Sequence, residues 1–356
     1  MTRDTSELPD LAASIAAYEA WMRAELGDEL VAADLKRKHK RMREHPFLFL
    51  RATCWRWAEA APILCPELMD APTAPSVGDA HAGNFGLWRD AGSRLVWGVN
   101  DFDEAARLPW CLDLVRLCAS VALAVPDPGP RAVAGAVLEG YARAIAAPKP
   151  FVLERDNLWL RDAFAADDAH RAEFWTELQS APPARAVPDT IRAALTAALP
   201  EPGLVVKISA RAAGAGSLGR PRFTAWCDYR GGPVAVEAKA LLPSCWIQGR
   251  EPDLAARAVD GPFRSPDPSL RYTPTMVTRR LAPNNRKLTF AEISVAMRKR
   301  LIGAMGAELA AIHAETEPVR AAIEADIATR KPRWLAAATK RVATWTLEEY
   351  TRYARG

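Results

Sequence analysis

The run Val77-Gly78-Asp79-Ala80-His81-Ala82-Gly83-Asn84, then Val96-Trp97-Gly98-Val99-Asn100-Asp101-Phe102-Asp103-Glu104, then Leu112-Asp113-Leu114, decides the reading of this chain. The first two parts are short apolar β-type runs ending in acid or amide side chains, as happens where a strand delivers polar groups to a site. Asp79 and Asn84 are separated by a loop-length gap containing Gly83, and Asp101 follows a short strand expected over Leu95–Val99. A carboxylate and an amide are oxygen ligands suited to Mg²⁺, and the other carboxylate is free to accept a proton. Phosphoryl transfer needs such a set: a loop Asp for the substrate hydroxyl, a loop Asn and a second Asp for metal.

At these residues the chain resembles the protein-kinase-like superfamily, in its aminoglycoside-phosphotransferase branch. That branch carries a G-D-x-H-x-x-N loop, a D-F-D or D-F-G-like metal motif, and an Asp-Leu pair opening a helix. Residues 78–84 fill every position of the first motif and Asp101-Phe102-Asp103 fills the second. Val77 stands where the branch usually has His. More narrowly, the chain resembles an uncharacterised bacterial family of kinase-like domains with no settled activity.

With 356 residues the chain has enough length for one large or two modest cores. Its 49% hydrophobic and 25% charged content is that of a globular protein, and its twelve Trp are expected mostly in the core or between lobes. A net charge of +4 suits an anionic ligand without requiring nucleic acid, and none is expected. The polar, acidic residues 1–10 do not read as a signal peptide. The best apolar run, 117–125, is about half the ~20 residues of a membrane helix, so no membrane association is expected. The six Cys show no C-x-x-C spacing, which argues against zinc and for a reducing cytoplasm.

Residues 11–26 read as an amphipathic helix stopped by Gly27. The next helix ends in Lys36-Arg37-Lys38-His39-Lys40-Arg41-Met42-Arg43, either a solvated face or a basic lip for an anion. Residues 47–57 read as one buried helix; a Phe-x-Arg element recurs there in the resembling family, which marks Arg51 without giving it a role. Pro109 is expected to open a buried helix in which Asp113 caps the end or reaches back to the Asp79 loop; the resemblance gives it the bracing role. Residues 132–146 and 154–178 read as helices, and 182–188 as an exposed linker.

From 204 the character turns to strand. Residues 204–208, 223–227 and 234–239 are β-type, and the first two enclose Gly214-Ala215-Gly216-Ser217-Leu218-Gly219. A dinucleotide fingerprint would need a helix straight after the glycines, which Pro221 and the β-type run oppose. A kinase glycine loop lies between two strands over the phosphates, and a strand Lys then pairs with them. Val236-Glu237-Ala238-Lys239 resembles that strand, with Glu251 a candidate acid for Lys239. Residues 275–281 read as a strand toward the lobe hinge, 290–314 as a long helix ending in His313, and 318–329 and 332–350 as closing helices.

An ordinary kinase runs from glycine loop and Lys to catalytic Asp; this chain has the catalytic and metal motifs first. The expected fold is therefore α+β, a bilobal protein-kinase-like fold in circularly permuted order. Residues 1–200 and 286–356 would form the helical lobe and 201–285 a small antiparallel β lobe. The resemblance implies an ATP- and Mg²⁺-dependent phosphotransferase acting on a hydroxyl of a small metabolite. Asp79 would be the base and Asn84 and Asp101 metal ligands assisted by Asp103. Gly214, Gly216, Ser217 and Gly219 would cover the phosphates that Lys239 pairs with. Two rivals share the residues: a nucleotidyl (AMP) transferase, and a non-catalytic nucleotide-binding module.

Overall fold

The computed structural model describes residues 7–212, 214, 216–284, 290 and 293–355. The fold is α+β. Helices α1 (Leu11–Leu26), α2 (Ala32–Glu44), α3 (Pro46–Ala52) and α4 (Cys54–Leu64) precede the short strands β1 (Thr73–Ser76), β2 (Phe85–Arg89), β3 (Leu95–Val99) and β4 (Ala106–Pro109). Helices α5 (Cys111–Ala124) and α6 (Pro130–Ala146), strand β5 (Phe151–Val152) and helices α7 (Leu158–Phe164), α8 (Asp168–Ser180) and α9 (Asp189–Ala197) follow. Strands β6 (Lys207–Ala210), β7 (Arg222–Tyr229) and β8 (Gly232–Ala240) lead through α10 (Leu254–Val259) to β9 (Arg271–Tyr272) and β10 (Met276–Leu281). Helices α11 (Val295–His313), α12 (Glu317–Thr329) and α13 (Trp334–Arg355) close the order.

All three sheets of the described residues are antiparallel and small: β1–β4, β2–β3–β5, and the larger β6–β7–β8–β10–β9. Alternation along β8 explains how the larger sheet is used. Val236 and Ala238 face Ile191 and Leu195 of α9. Their neighbours Ala235, Glu237 and Lys239 face the opposite way, where Ala235 meets Leu178 of α8. Register carries this second face across the sheet, pairing Arg222 with Lys239 and Arg279 with Glu237.

The main core lies among the helices, around Trp97, Trp110, Tyr141, Phe85 and Phe102. Seven of the twelve Trp are buried and none is exposed, so they fill the interior. Helices α6 and α11 nearly touch: a Cβ at Gly140 would fall 2.0 Å from the Gly303 carbonyl oxygen, and one at Gly306 2.2 Å from that of Val137. That contact fixes α11, and with it the position of His313.

Several local expectations need correcting. Pro109 ends β4 and opens no helix, because residues 106–109 pair with 73–76 and α5 begins only at Cys111. The helix expected over 47–57 is two, broken at Thr53 (φ −125°, ψ 45°), whose hydroxyl bonds the Phe49 carbonyl at 2.8 Å. The stretch 154–178 likewise divides into α7 and α8. Strand β6 starts at Lys207, while Leu204 and Val206 pack on the α9 cluster. The described part of the helix expected over 290–314 begins at Val295; residues 291–292 lie outside the described residues. In the basic run, Lys36, Arg37, Lys40, Arg41 and Arg43 are exposed but Lys38 is buried. Burial, and then Arg220, bring the Lys38 ammonium down to about 8. No helix among the described residues is long and apolar enough to cross a membrane.

Candidate active site

Strand β1 ends at Ser76 and the chain turns through Gly78 (φ 74°), where a Cβ would lie 1.9 Å from the Glu104 carbonyl oxygen. Only glycine fits there. The loop is held from below: the Val77 and Gly78 amides donate to the Asp113 carboxylate of α5 at 2.7 and 3.0 Å. Asp113 thus reaches back to the loop.

Asp79 follows, largely buried, with its Oδ1 taking Arg116 Nε at 2.6 Å. Burial raises its pKa to about 6 against the opposing pull of Arg116. His81 Nε2 lies 3.8 Å from Asp79 Oδ2, and its Nδ1 accepts the Gly83 amide at 3.0 Å, which places the ring proton on Nε2. Asn84 is buried. Its Nδ2 donates to the Asp101 carbonyl at 2.9 Å, and its Oδ1 has no hydrogen-bond partner among the described residues. Asp101 emerges after β3 with a side chain 37% exposed, enough to meet a ligand. The Asp103 side chain is 8% exposed; its Oδ2 takes Lys239 Nζ at 2.5 Å and Arg220 Nη1 at 3.0 Å, and its Oδ1 has no partner among the described residues.

The larger sheet roofs these groups. The tip between β6 and β7 carries the glycines and runs into β7 without opening a helix. Gly214, Gly216, Ser217 and Gly219 are described; Ala215 lies outside the described residues. The tip is anchored to the helical body: the Val31 amide donates to the Gly219 carbonyl at 3.0 Å, and a Cβ at Gly216 would sit 3.0 Å from the Arg51 carbonyl oxygen. Ser217 Oγ accepts Arg222 Nη2 at 2.6 Å. Lys239 Nζ reaches Asp103, and lies 3.9 Å from Asp101 Oδ1. Beside it, Arg211, Arg222 and Arg279 converge on Glu237 at 3.0, 3.4 and 2.8 Å. Burial of Glu237 is outweighed by these cations, led by Arg279, and its pKa falls far below the carboxylate range.

Between roof and floor is a cavity of about 520 Å³, lined by Asp79, Asn84, Asp101, Asp103, Gly214, Gly216 and Ser217 among others. Small-molecule sites commonly have volumes of roughly 300–1,000 Å³. Of the candidate residues of the sequence reading, Lys239 reaches this cavity only through Asp103, a Cβ at Gly219 would meet Leu35 and Met22 instead, and Glu251 does not line it. That carboxylate pairs with Arg107 and Arg257, and the acid beside Lys239 is Asp103. As to metal, Asn84 Oδ1 and Asp103 Oδ1 are buried oxygens without a partner among the described residues, and Asp101 adds a carboxylate. An oxygen set of this kind fits a hard divalent cation.

Sequence reasoning marked Arg51 without giving it a role and missed Arg116, Arg220 and Arg279. A signal existed for Arg116: three residues after Asp113, it shares a helix face with it, so a helix sending Asp113 to the loop sends Arg116 too. Arg220 bridges Asp103 and Glu104 at 3.0 Å each, a link with no local signature.

Residues 30–173 match the model of a family described as an uncharacterized protein conserved in bacteria, DUF2252. The matched stretch contains Asp79, Asn84, Asp101 and Asp113 and stops before the larger sheet. No curated protein and no solved structure matches the chain.

Proposed function

We propose that this chain is an ATP- and Mg²⁺-dependent phosphotransferase of protein-kinase-like architecture in circularly permuted order, acting on a hydroxyl of a small metabolite. One observation carries the reading. Lys239, from the roof strand β8, meets Asp103 at 2.5 Å and Asp101 at 3.9 Å, and both acids line a cavity with Asp79, Asn84, Gly214 and Gly216. A separation of 136 positions between Lys239 and Asp103 leaves nothing local to draw them together.

In this reading Asp79 takes the proton of the acceptor hydroxyl as its oxygen bonds the terminal phosphorus of ATP. The bond from that phosphorus to the bridging oxygen breaks, and its electron pair leaves with ADP. Burial suits Asp79 to the task, since a pKa near 6 keeps it ionised yet more basic than an ordinary carboxylate. Asn84, Asp101 and Asp103 would hold Mg²⁺, which neutralises phosphate charge when bound. Lys239 and the glycine tip would hold and cover the phosphates.

Calorimetry of Mg-ATP binding, followed by ATP turnover across sugars, amino alcohols and aminoglycosides, tests the reading. Absence of nucleotide binding sinks it. A second reading, nucleotidyl transfer, draws support from Arg211, Arg222 and Arg279, whose surplus charge could hold terminal phosphates on the roof. Product label decides: phosphoryl transfer moves the γ-phosphorus of ATP to the acceptor, and nucleotidyl transfer moves the α-phosphorus.

A further inference from the structure

Arg51 stands in the last turn of α3 and lines the cavity. Its Nε is buried and has no hydrogen-bond partner among the described residues. It rests on the Phe47 ring, Cζ 5.7 Å from the centroid, and against Gly83, where a Cβ would come within 3.4 Å of Cζ. Burial pulls its pKa down, opposed by the charges of Asp79 and Asp101.

The other arginines buried about this cavity are each matched by a carboxylate. Arg116 has Asp79, Arg220 has Asp103 and Glu104, Arg222 has Glu237, and Arg264 has Glu308. A largely buried cation left unmatched is costly, and the cost is relieved when an anion arrives. The nearby acids act on Arg51 only from a distance and are already engaged: Asp79 is bound to Arg116, and Lys239 stands beside Asp101. Gly83, against which Arg51 lies, is in the loop joining Asp79 to Asn84, between the base and the metal-type ligands. Under the phosphotransferase reading, the group that must sit there is the phosphoryl in transit.

We propose that Arg51 holds the terminal phosphoryl group of the nucleotide at the Asp79 end of the cavity. The assignment rests on the phosphotransferase reading and adds the direction in which the nucleotide lies. A guanidinium offers paired donors to phosphoryl oxygens, and charge spreads over three of those oxygens during transfer. As the acceptor oxygen bonds phosphorus and the bridging bond breaks toward ADP, the acceptor proton goes to Asp79. Arg51 exchanges no proton and stays charged.

Binding tests this without a known acceptor. The Mg²⁺ complexes of β,γ-imido-ATP and of ADP are titrated calorimetrically into wild type, Arg51→Met and Arg51→Lys. Wild type should bind the triphosphate analogue more tightly than ADP. Arg51→Met should lose that preference, by ~10–100-fold as expected for charge-assisted hydrogen bonds, with ADP affinity held within about twofold. Arg51→Lys, which keeps the charge and loses the fork, should lose part of it; should Arg51→Met fail to fold, Arg51→Lys carries the test, and an unchanged preference there overturns the assignment. Equal weakening of both nucleotides in Arg51→Met overturns it. So does a preference that survives Arg51→Met but vanishes in Arg279→Lys, which would mean a nucleotide lying the other way round. Wild type that binds neither nucleotide sinks the phosphotransferase reading itself.

Discussion

His313, the last residue of α11, places Nε2 3.2 Å from Asp113 Oδ2, although 200 positions separate them. Its Nδ1 meets the Tyr141 hydroxyl at 2.8 Å, and the imidazole is fully buried. The end of α11, far beyond the Asp79 loop in sequence, thus lies beneath that loop through Asp113.

Asp113 accordingly bears on stability. Asp113→Ala would leave the buried Val77 and Gly78 amides without an acceptor. At roughly 1–3 kcal/mol for each unsatisfied group, and allowing for relaxation, urea unfolding should show a loss of about 2–4 kcal/mol. A variant as stable as wild type would remove Asp113 from the brace.

For metal, Mg²⁺ should raise ATP affinity in the wild type, and Asp101→Ala should abolish most of the gain. Asp101 is the most accessible carboxylate of the set, so its removal should disturb the fold least. Equal metal-dependent ATP binding in both proteins, read by calorimetry, would end the metal role.

Asp79→Asn should bind Mg-ATP almost normally while turnover falls by about 10²–10⁴-fold, the usual contribution of a positioned base. A base must be ionised, so wild-type kcat/KM should fall below pH about 6. Stability moves the other way. The folded Asp79 keeps its proton to about 6 and the unfolded one only to about 4. Stability from this group is therefore present at low pH and lost as pH rises between those values. Asp79→Asn should lack that component; loss of nucleotide binding in parallel with turnover would make Asp79 a ligand.

The parts of the site made locally were legible. The strand Leu95–Val99 is an unbroken apolar run bounded by polar residues, and the alternation of β8 marks Lys239 as sharing a face with Glu237. What was hidden depends on distant partners. Pro109 has the look of a helix opener, but pairing of 106–109 with 73–76 overrides that preference. Glu251, at the start of the short helical stretch after β8, is the expected acid for Lys239, whereas the acid comes from Asp103 across the cavity. Arg220 carries no pattern of its own, and the Phe-x-Arg element marks Arg51 without a role, since an arginine in a helix turn or a loop reads as surface until burial is known.

Arg116 offers the sharpest test of the electrostatics around Asp79. Its Nε meets Asp79 Oδ1 at 2.6 Å and its Nη2 donates to the Leu50 carbonyl at 2.9 Å, so the guanidinium ties the loop to α3. Burial raises the Asp79 pKa, and the Arg116 guanidinium opposes that rise. Removing that charge leaves the desolvation unopposed, so the ionised carboxylate becomes harder to form. In Arg116→Met the acid limb of kcat/KM should move above pH 6 by about one unit or more, on the scale of shifts from an adjacent opposite charge. Activity lost near neutrality should then return in part at about pH 8.5, where Asp79 ionises again. Arg116→Lys, which keeps the charge, should leave the limb near its wild-type position. A merely structural Arg116 would lower activity equally at every pH. An unmoved limb in Arg116→Met would show that Asp79 does not set it.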